Sequence, residues 1–248
     1  MNNNVKILQP KYFFYGIVVV VVFTPIALYS LGYRLGNGFR VGKLGYLALS
    51  IPLPETTIYI DESKKIVTTK ENEEVKVPLS PKEHSIIISR QSYYPWKKNL
   101  EIQSKKTVSV SPMFVSQNPS GSVITKNDPE YWKIYNLLNK NTYPKKDLPK
   151  TDGNISIWVE NNTVMAKIDE KIIEVIKPEE EVRNLEFYKN AKNAVIFSAG
   201  KGIYAIEIDK TGTQNFMPVY VGEKPLFIGA DKSSIYVLDV GTLMQVII

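Results

Sequence analysis

Between Lys11 and Arg34 the chain carries no charged residue, and residues 12–31 read YFFYGIVVVVVFTPIALYSL. Twenty residues at helical rise cover about 30 Å, the thickness of a bilayer's hydrocarbon core. A buried strand needs only about 4–8 apolar residues, so a strand does not account for the run. The β-branched stretch from Val18 to Val22 is a poor helix former in water, but lipid imposes a helix because backbone groups there have no other partner, and it tolerates Pro25. Tyr12, Phe13, Phe14 and Tyr15 at one end, with Tyr29 and Tyr33 at the other, resemble interfacial aromatic belts. A cleaved signal peptide competes with this reading: Lys6 and Lys11 would form its basic region, and Ser30-Leu31-Gly32 its cleavage site. Its apolar core is usually about 7–15 residues, shorter than this run. The expectation is therefore an uncleaved transmembrane helix over residues 12–31, with residues 1–11 as a short cytoplasmic tail. Lys6 and Lys11 before the run nearly balance Arg34, Arg40 and Lys43 after it, so charge does not orient it. Long domains translocate largely regardless of charge, which places the large C-terminal region outside the cell membrane in a single-pass arrangement.

The 248-residue chain has no cysteine and one histidine, His84. That composition excludes disulfide scaffolds, thiol catalysis and cysteine zinc sites. The net charge of +6 comes from lysines scattered along the chain. Scattering fits a solvated basic surface, or attraction to an anionic partner such as lipid headgroups or wall polymer. No basic recognition element or nucleic-acid module is recognisable, so no nucleic acid is expected.

Residues 32–43 are glycine-rich and read as a juxtamembrane linker. From Leu44 the apolar period becomes two. Leu47, Leu49 and Ile51 alternate with polar or small residues, followed by Ile58 and Ile60, Ile86 and Ile88, Leu100 and Ile102, and Val108 and Val110. Short alternating runs separated by turn residues predict an all-β sandwich or small barrel over 44–116. Residues 117–153 break the alternation and read as a linker with one short helix over 129–139. Asp128 is placed to cap that helix, Pro129 to start it, and Tyr131, Ile134, Tyr135 and Leu138 to share a face.

Residues 154–248 return to β, with strands predicted over 155–159, 164–168, 172–176, 194–198, 203–208, 219–221, 235–240 and 243–248. IYAIEID at residues 203–209 and IYVLDVG at 235–241 resemble one another, with a fainter echo at 157–161. Such repeats suggest a propeller-like C-terminal domain, yet a closed propeller needs about four blades and this region holds roughly two to two and a half. An unrelated sandwich remains the alternative. The chain ends on the apolar LMQVII, which must find a partner or become an exposed edge.

Chemistry is sparse. His84 lacks a nucleophile and an orienting acid at any telling spacing and reads as a structural residue at a strand start. AGKG at residues 199–202 lacks the pattern of a phosphate loop and reads as a hairpin turn. Ser120-Gly121-Ser122 lacks the flanking glycines of a nucleophile elbow. The carboxylate runs at 61–62, 71–74, 169–170 and 179–181 read as solvated turns. No catalytic, cofactor-binding or metal-ligating residue is assigned, and no cofactor. Tyr93, Tyr94 and Trp96 are the most suggestive side chains, either as an aromatic surface for a sugar or protein partner or as residues closing a core.

Two stretches carry a family likeness: GYLALSIPLPETTIYIDES at residues 45–63, and PLSPKEHSIIISRQSYYPWKKNLEIQSKKTVSVSPMFV at 78–115. Together they resemble a PEGA domain, a small β-sandwich-like module of prokaryotic envelope proteins. Pro54, Glu55, Thr56 and Thr57 stand at its Pro-Glu-Gly-Ala turn, Tyr59-Ile60-Asp61-Glu62 at its Tyr-(Ile/Val)-Asp-Gly, and Tyr93, Tyr94 and Trp96 in its aromatic patch. Glycine is missing at the namesake turn, after Asp61 and in the later Pro-Gly turn, so those turns use other conformations or bear strain at positive φ.

The resemblance implies an extracytoplasmic location and a scaffolding or surface-binding role, with no enzymatic activity. The expected function is a non-catalytic, membrane-anchored adaptor that binds cell-wall polymer, surface glycan or envelope proteins. Oligomers would form through C-terminal edge strands. The competing expectation is a carbohydrate-active enzyme or sensor with its site in residues 154–248.

Overall fold

The computed structural model describes residues 10–35, 41–140, 143–188, 191, 193–231 and 233–248. Most of the expected cytoplasmic tail and the centre of the glycine-rich linker lie outside the described residues. The chain divides into two compact units, both discontinuous in sequence. One comprises Met1–Ala48, Val75–Glu83 and Glu101–Ser109; the other comprises Leu49–Glu74, His84–Leu100 and Val110–Ile248.

The first unit begins with helix α1, Pro10–Ser30, followed by a two-stranded ribbon of β1 (Tyr33–Leu35) and β2 (Val41–Lys43). The expectation that this helix crosses a membrane is corrected: among the described residues no helix is long and apolar enough to do so. The helix has 21 residues and carries Pro25 inside it, which removes a backbone donor from its C-terminal half. Arg34 closes the C-terminal end of α1, where the helix dipole favours a cation. Its Nη1 donates to the Tyr29 and Tyr33 carbonyls at 2.8 Å each, and its guanidinium lies 3.5 Å from the Tyr29 ring centre.

Strands β3 (Gly45–Ile51), β6 (Glu73–Leu79) and β9 (Thr107–Val110) form a three-stranded sheet in the order β6-β3-β9. The region expected as one sandwich also supplies a four-stranded sheet in the order β5-β4-β7-β8, from β4 (Thr57–Ile60), β5 (Lys64–Val67), β7 (Glu83–Ser89) and β8 (Trp96–Glu101). Alternation sets the inward faces: Ile58, Ile60, Ile86, Ile88, Trp96 and Leu100 are buried.

Residues 117–153 are more than a linker. They hold β10 (Gly121–Ile124), helix α2 (Tyr131–Lys140) and β11 (Lys150–Asp152). Asp128 does not cap α2. Its Oδ2 accepts from the Thr125 N–H at 2.6 Å and the Thr125 hydroxyl at 2.8 Å. The carboxylate thus turns back on the preceding loop, and the helix starts at Tyr131.

Three four-stranded antiparallel sheets follow; residues 154–248 supply ten of their twelve strands, the two and a half blades' worth expected, and β10 and β11 from the preceding segment complete them. The first has the order β11-β12-β13-β14, adding β12 (Ile155–Glu160), β13 (Thr163–Ile168) and β14 (Lys171–Ile176). The second runs β15-β16-β17-β18, from β15 (Val182–Phe187), β16 (Ala194–Ala199), β17 (Gly202–Glu207) and β18 (Phe216–Val221). The third is β10-β21-β20-β19, with β19 (Leu226–Gly229), β20 (Ser234–Asp239) and β21 (Thr242–Ile247). Short hairpins connect several neighbours, and Gly200 at φ 51 opens the two-residue turn between β16 and β17.

The apolar C-terminal strand is therefore interior, since β21 pairs with β20 on one side and β10 on the other. Gly121 is required at the β10 pairing, because a Cβ there would lie 2.4 Å from the Gln245 carbonyl oxygen. One apolar cluster joins the first two sheets through Ile157, Val164, Val175, Leu185, Val195 and Phe197. A second places Tyr131, Ile134 and Leu138 of α2 against Leu238 and Leu243 of the third sheet. Full burial of each such side chain stabilises by about 1.5–3 kcal/mol. The second and third sheets are joined by Asn184, whose Oδ1 accepts from the Phe227 N–H at 3.1 Å.

Candidate functional site

A depression at one of the motifs singled out in the sequence lies in the second unit. Glu55, Arg90, Gln91, Ser92 and Tyr93 line a cleft of about 430 Å³. Antiparallel pairing of β4 with β7, with Thr57 opposite Ser89, brings the Pro54–Thr57 turn beside residue 90.

The turn is held by two buried threonines. The Thr56 N–H donates to Thr68 Oγ1 at 3.0 Å, the Thr56 hydroxyl donates to the Leu53 carbonyl at 2.9 Å, and the Thr68 N–H returns to the Thr56 carbonyl at 2.9 Å. The Glu55 N–H also donates to the Thr68 carbonyl at 3.0 Å. These bonds hold Glu55 at φ 54, a left-handed conformation that costs a non-glycine residue energy. Its side chain is exposed at the cleft.

The opposite wall is a turn. The Tyr93 N–H donates to the Arg90 carbonyl at 3.2 Å, with Ser92 at φ 66. Arg90 Nε donates to the Pro54 carbonyl at 2.9 Å, and its guanidinium stands 5.0 Å from the Tyr93 ring centre. The other side of Tyr93 meets Phe114 edge-on, with ring centres 5.9 Å apart. Among the described residues Arg90 makes no ion pair, and its two Nη groups have no hydrogen-bond partner.

The three aromatics singled out in the sequence have different environments. Tyr93 and Tyr94 are half-buried. Trp96 is only 1% exposed, with its indole N–H on Glu207 Oε1 at 2.6 Å. Beside it, Lys98 Nζ pairs with Glu207 Oε2 at 3.1 Å and with Asp209 Oδ2 at 3.4 Å. Trp96 thus belongs to a buried polar network and presents no surface. Of the Pro54–Thr57 turn, Pro54 supplies a carbonyl, Glu55 a wall of the cleft, and Thr56 the buried brace. Arg90 and Thr68 were not singled out in the sequence. Their roles arise from strand pairing, and no local pattern announces them.

His84 is buried, with Nδ1 2.7 Å from Asp61 Oδ2. Among the described residues no three His, Cys, Asp or Glu side chains converge as a metal site would require. A second depression of about 420 Å³ is lined by Tyr143, Leu148, Leu185 and the ion pair Lys150–Glu186.

No family profile and no curated protein matches the chain. Among solved structures it is similar to a Bacteroides fragilis NCTC 9343 protein of unknown function described as membrane-associated. That match has 10% identity and a TM-score of 0.24, and it covers 82% of this chain and 93% of the other. A score at that level assigns neither fold nor function.

Proposed function

We propose that this is a non-catalytic, membrane-associated envelope protein that binds surface glycan through the cleft between Glu55 and Tyr93. The observation that carries the reading is the convergence there of an Arg that makes no ion pair among the described residues, an exposed carboxylate and a half-buried tyrosine on a braced frame. Saccharide recognition uses such a set, a few placed polar groups held on a rigid frame. The likeness of residues 45–63 and 78–115 to the PEGA module supports an envelope location. So does a chain without cysteine, which is free of redox chemistry outside the cell.

Membrane association rests on α1. Ile17, Val18, Val19, Val20, Val21, Val22 and Phe23 are consecutive and all exposed, so the helix is apolar on every side. Uncovered apolar surface of that extent marks contact with lipid or another protein.

The test uses the full chain in detergent, mixed with purified bacterial wall material and sedimented across a salt titration. Retention that Arg90→Gln or Tyr93→Ala abolishes at salt concentrations where the wild type is still retained supports the cleft. Retention that neither variant changes reflects only generic attraction to anionic polymer and sinks the reading. Flotation with phosphatidylglycerol vesicles, lost in a Val19→Lys, Val21→Lys double variant, checks the membrane half.

A further inference from the structure

We propose that the ligand of this cleft is a saccharide bearing a carboxylate, and that Arg90 is the residue that selects it. The inference rests on the glycan-binding reading above and adds the chemistry of the ligand.

Arg90 is pre-positioned on two sides. Its Nε is fixed to the Pro54 carbonyl at 2.9 Å, and its plane is supported by the Tyr93 ring at 5.0 Å. What remains is the end of the guanidinium, where Nη1 and Nη2 present parallel N–H donors. That fork matches the two oxygens of a planar carboxylate. Because the side chain is already held by the protein, binding loses little rotamer freedom.

The same contacts argue against Tyr93 as a stacking platform. Arg90 lies over its ring and Phe114 meets it edge-on. Tyr93 thus acts by orienting Arg90, and discrimination passes to the guanidinium.

Glu55 sets the charge of the ligand. One guanidinium and one carboxylate line the cleft, so its formal charge is balanced. A multiply charged phosphate would meet one cation and one repelling anion. A monoanionic acidic sugar would place its carboxylate on Arg90 and donate hydroxyls to Glu55, with the Gln91 amide and Ser92 hydroxyl within the same lining.

The experiment is calorimetric titration of the full chain in detergent with a neutral galacto-oligosaccharide capped by a single galacturonate, with its carboxyl-reduced neutral counterpart, and with inorganic phosphate as competitor. The expected result is at least tenfold tighter binding of the acid than of the reduced oligomer. Arg90→Lys, which keeps the charge but removes the fork, should lose about tenfold on the acid and little on the reduced form. Glu55→Gln, an exposed substitution that leaves the frame intact, should tighten the acid several-fold. Equal binding of acid and reduced oligomers overturns the carboxylate inference while leaving glycan binding in place. Binding of neither overturns both. Competition by phosphate at concentrations comparable to the acid, or an Arg90→Lys variant that binds the acid as wild type does, also overturns the inference.

Discussion

Trp96 donates its indole N–H to the Glu207 carboxylate over 2.6 Å, joining β8 to β17 across 111 positions of sequence. Glu207 is wholly buried, and its second oxygen takes Lys98 Nζ at 3.1 Å and Asn215 Nδ2 at 3.0 Å. A buried charge pair of this kind is costly to break from one side, because the remaining charge has no water. Lys98→Met should therefore destabilise the second unit by about 3–5 kcal/mol. The double variant Lys98→Met, Glu207→Gln should recover most of that loss. Denaturant unfolding of the two variants checks both halves. A double variant as unstable as the single would show that the pair itself, rather than an orphaned charge, supplies the stability.

The Trp96–Glu207 bond also shows what a local pattern conceals. Tyr-Tyr-Pro-Trp reads either as an aromatic surface or as residues closing a core, and only topology delivers the acceptor that lets Trp96 be buried. The predicted strands that match β12, β13, β14, β16, β17, β20 and β21 were legible because burial on one or both faces writes an apolar run or a period of two. β15 was not. Its Arg183, Asn184 and Glu186 look like a loop, yet Asn184 is fully buried, accepting from Ser198 and from Phe227 across 43 positions. β10 is mostly exposed, so it carries no apolar pattern of its own. The cleft was half legible. Glu55 and Tyr93 stood out, while Arg90 acquires meaning only when β4 pairs with β7. The helix at the N-terminus was readable as a helix.

Val240 and Gly241 form the two-residue turn between β20 and β21, both at positive φ (46 and 77). That is the backbone of a type I′ turn, which favours Asn, Asp and Gly. Val240 is β-branched and 76% exposed, so it bears strain without compensating burial. The turn between β12 and β13 solves the same problem with Asn161 and Asn162 at φ 50 and 60. Val240→Asn should stabilise by about 1 kcal/mol, seen as a raised thermal midpoint. An unchanged or lowered midpoint would mean that Val240 is held by contacts worth as much as the strain.

Asp209 sets an acid limit. Partial burial pushes its carboxyl up, but the Thr211 hydrogen bonds and neighbouring Lys98 outweigh that and hold it below the ordinary value. A carboxylate lowered by folding contributes stability that is present above its unfolded pKa, near 3.9, and is lost as pH falls through the folded value. The urea midpoint should thus hold from neutral pH to about 5 and fall below about 4. Asp209→Asn should be less stable than wild type at neutral pH, with the gap closing in acid. A gap that stays constant with pH would remove Asp209 as a source of the acid dependence.

Gly121 lets β10 approach β21. A Cβ at 2.4 Å from the Gln245 carbonyl oxygen meets backbone, which cannot swing aside as a side chain would. Gly121→Ala should cost about 1–3 kcal/mol by overpacking. It should raise hydrogen exchange in β21 while leaving β16 and β17 protected. Uniform loss of protection across all three sheets would show instead that β10 is part of one cooperative unit with them.

Thr68 links stability of the frame to binding at the cleft. Its hydroxyl accepts the Thr56 N–H at 3.0 Å, and Thr68 is 1% exposed, so Thr68→Ala leaves that N–H buried without its partner. The loss of one such bond costs about 1–3 kcal/mol. The turn holding Glu55 at φ 54 then relaxes, and the Pro54 carbonyl that fixes Arg90 shifts with it. Thr68→Ala should therefore weaken binding of an acidic saccharide several-fold at temperatures where the protein is fully folded. Thr68→Ser, which keeps the hydroxyl, should restore binding even where it fails to restore all of the stability. If Thr68→Ala binds as wild type does while losing stability, the brace serves the fold alone, and Arg90 is positioned by Tyr93 without help from the turn.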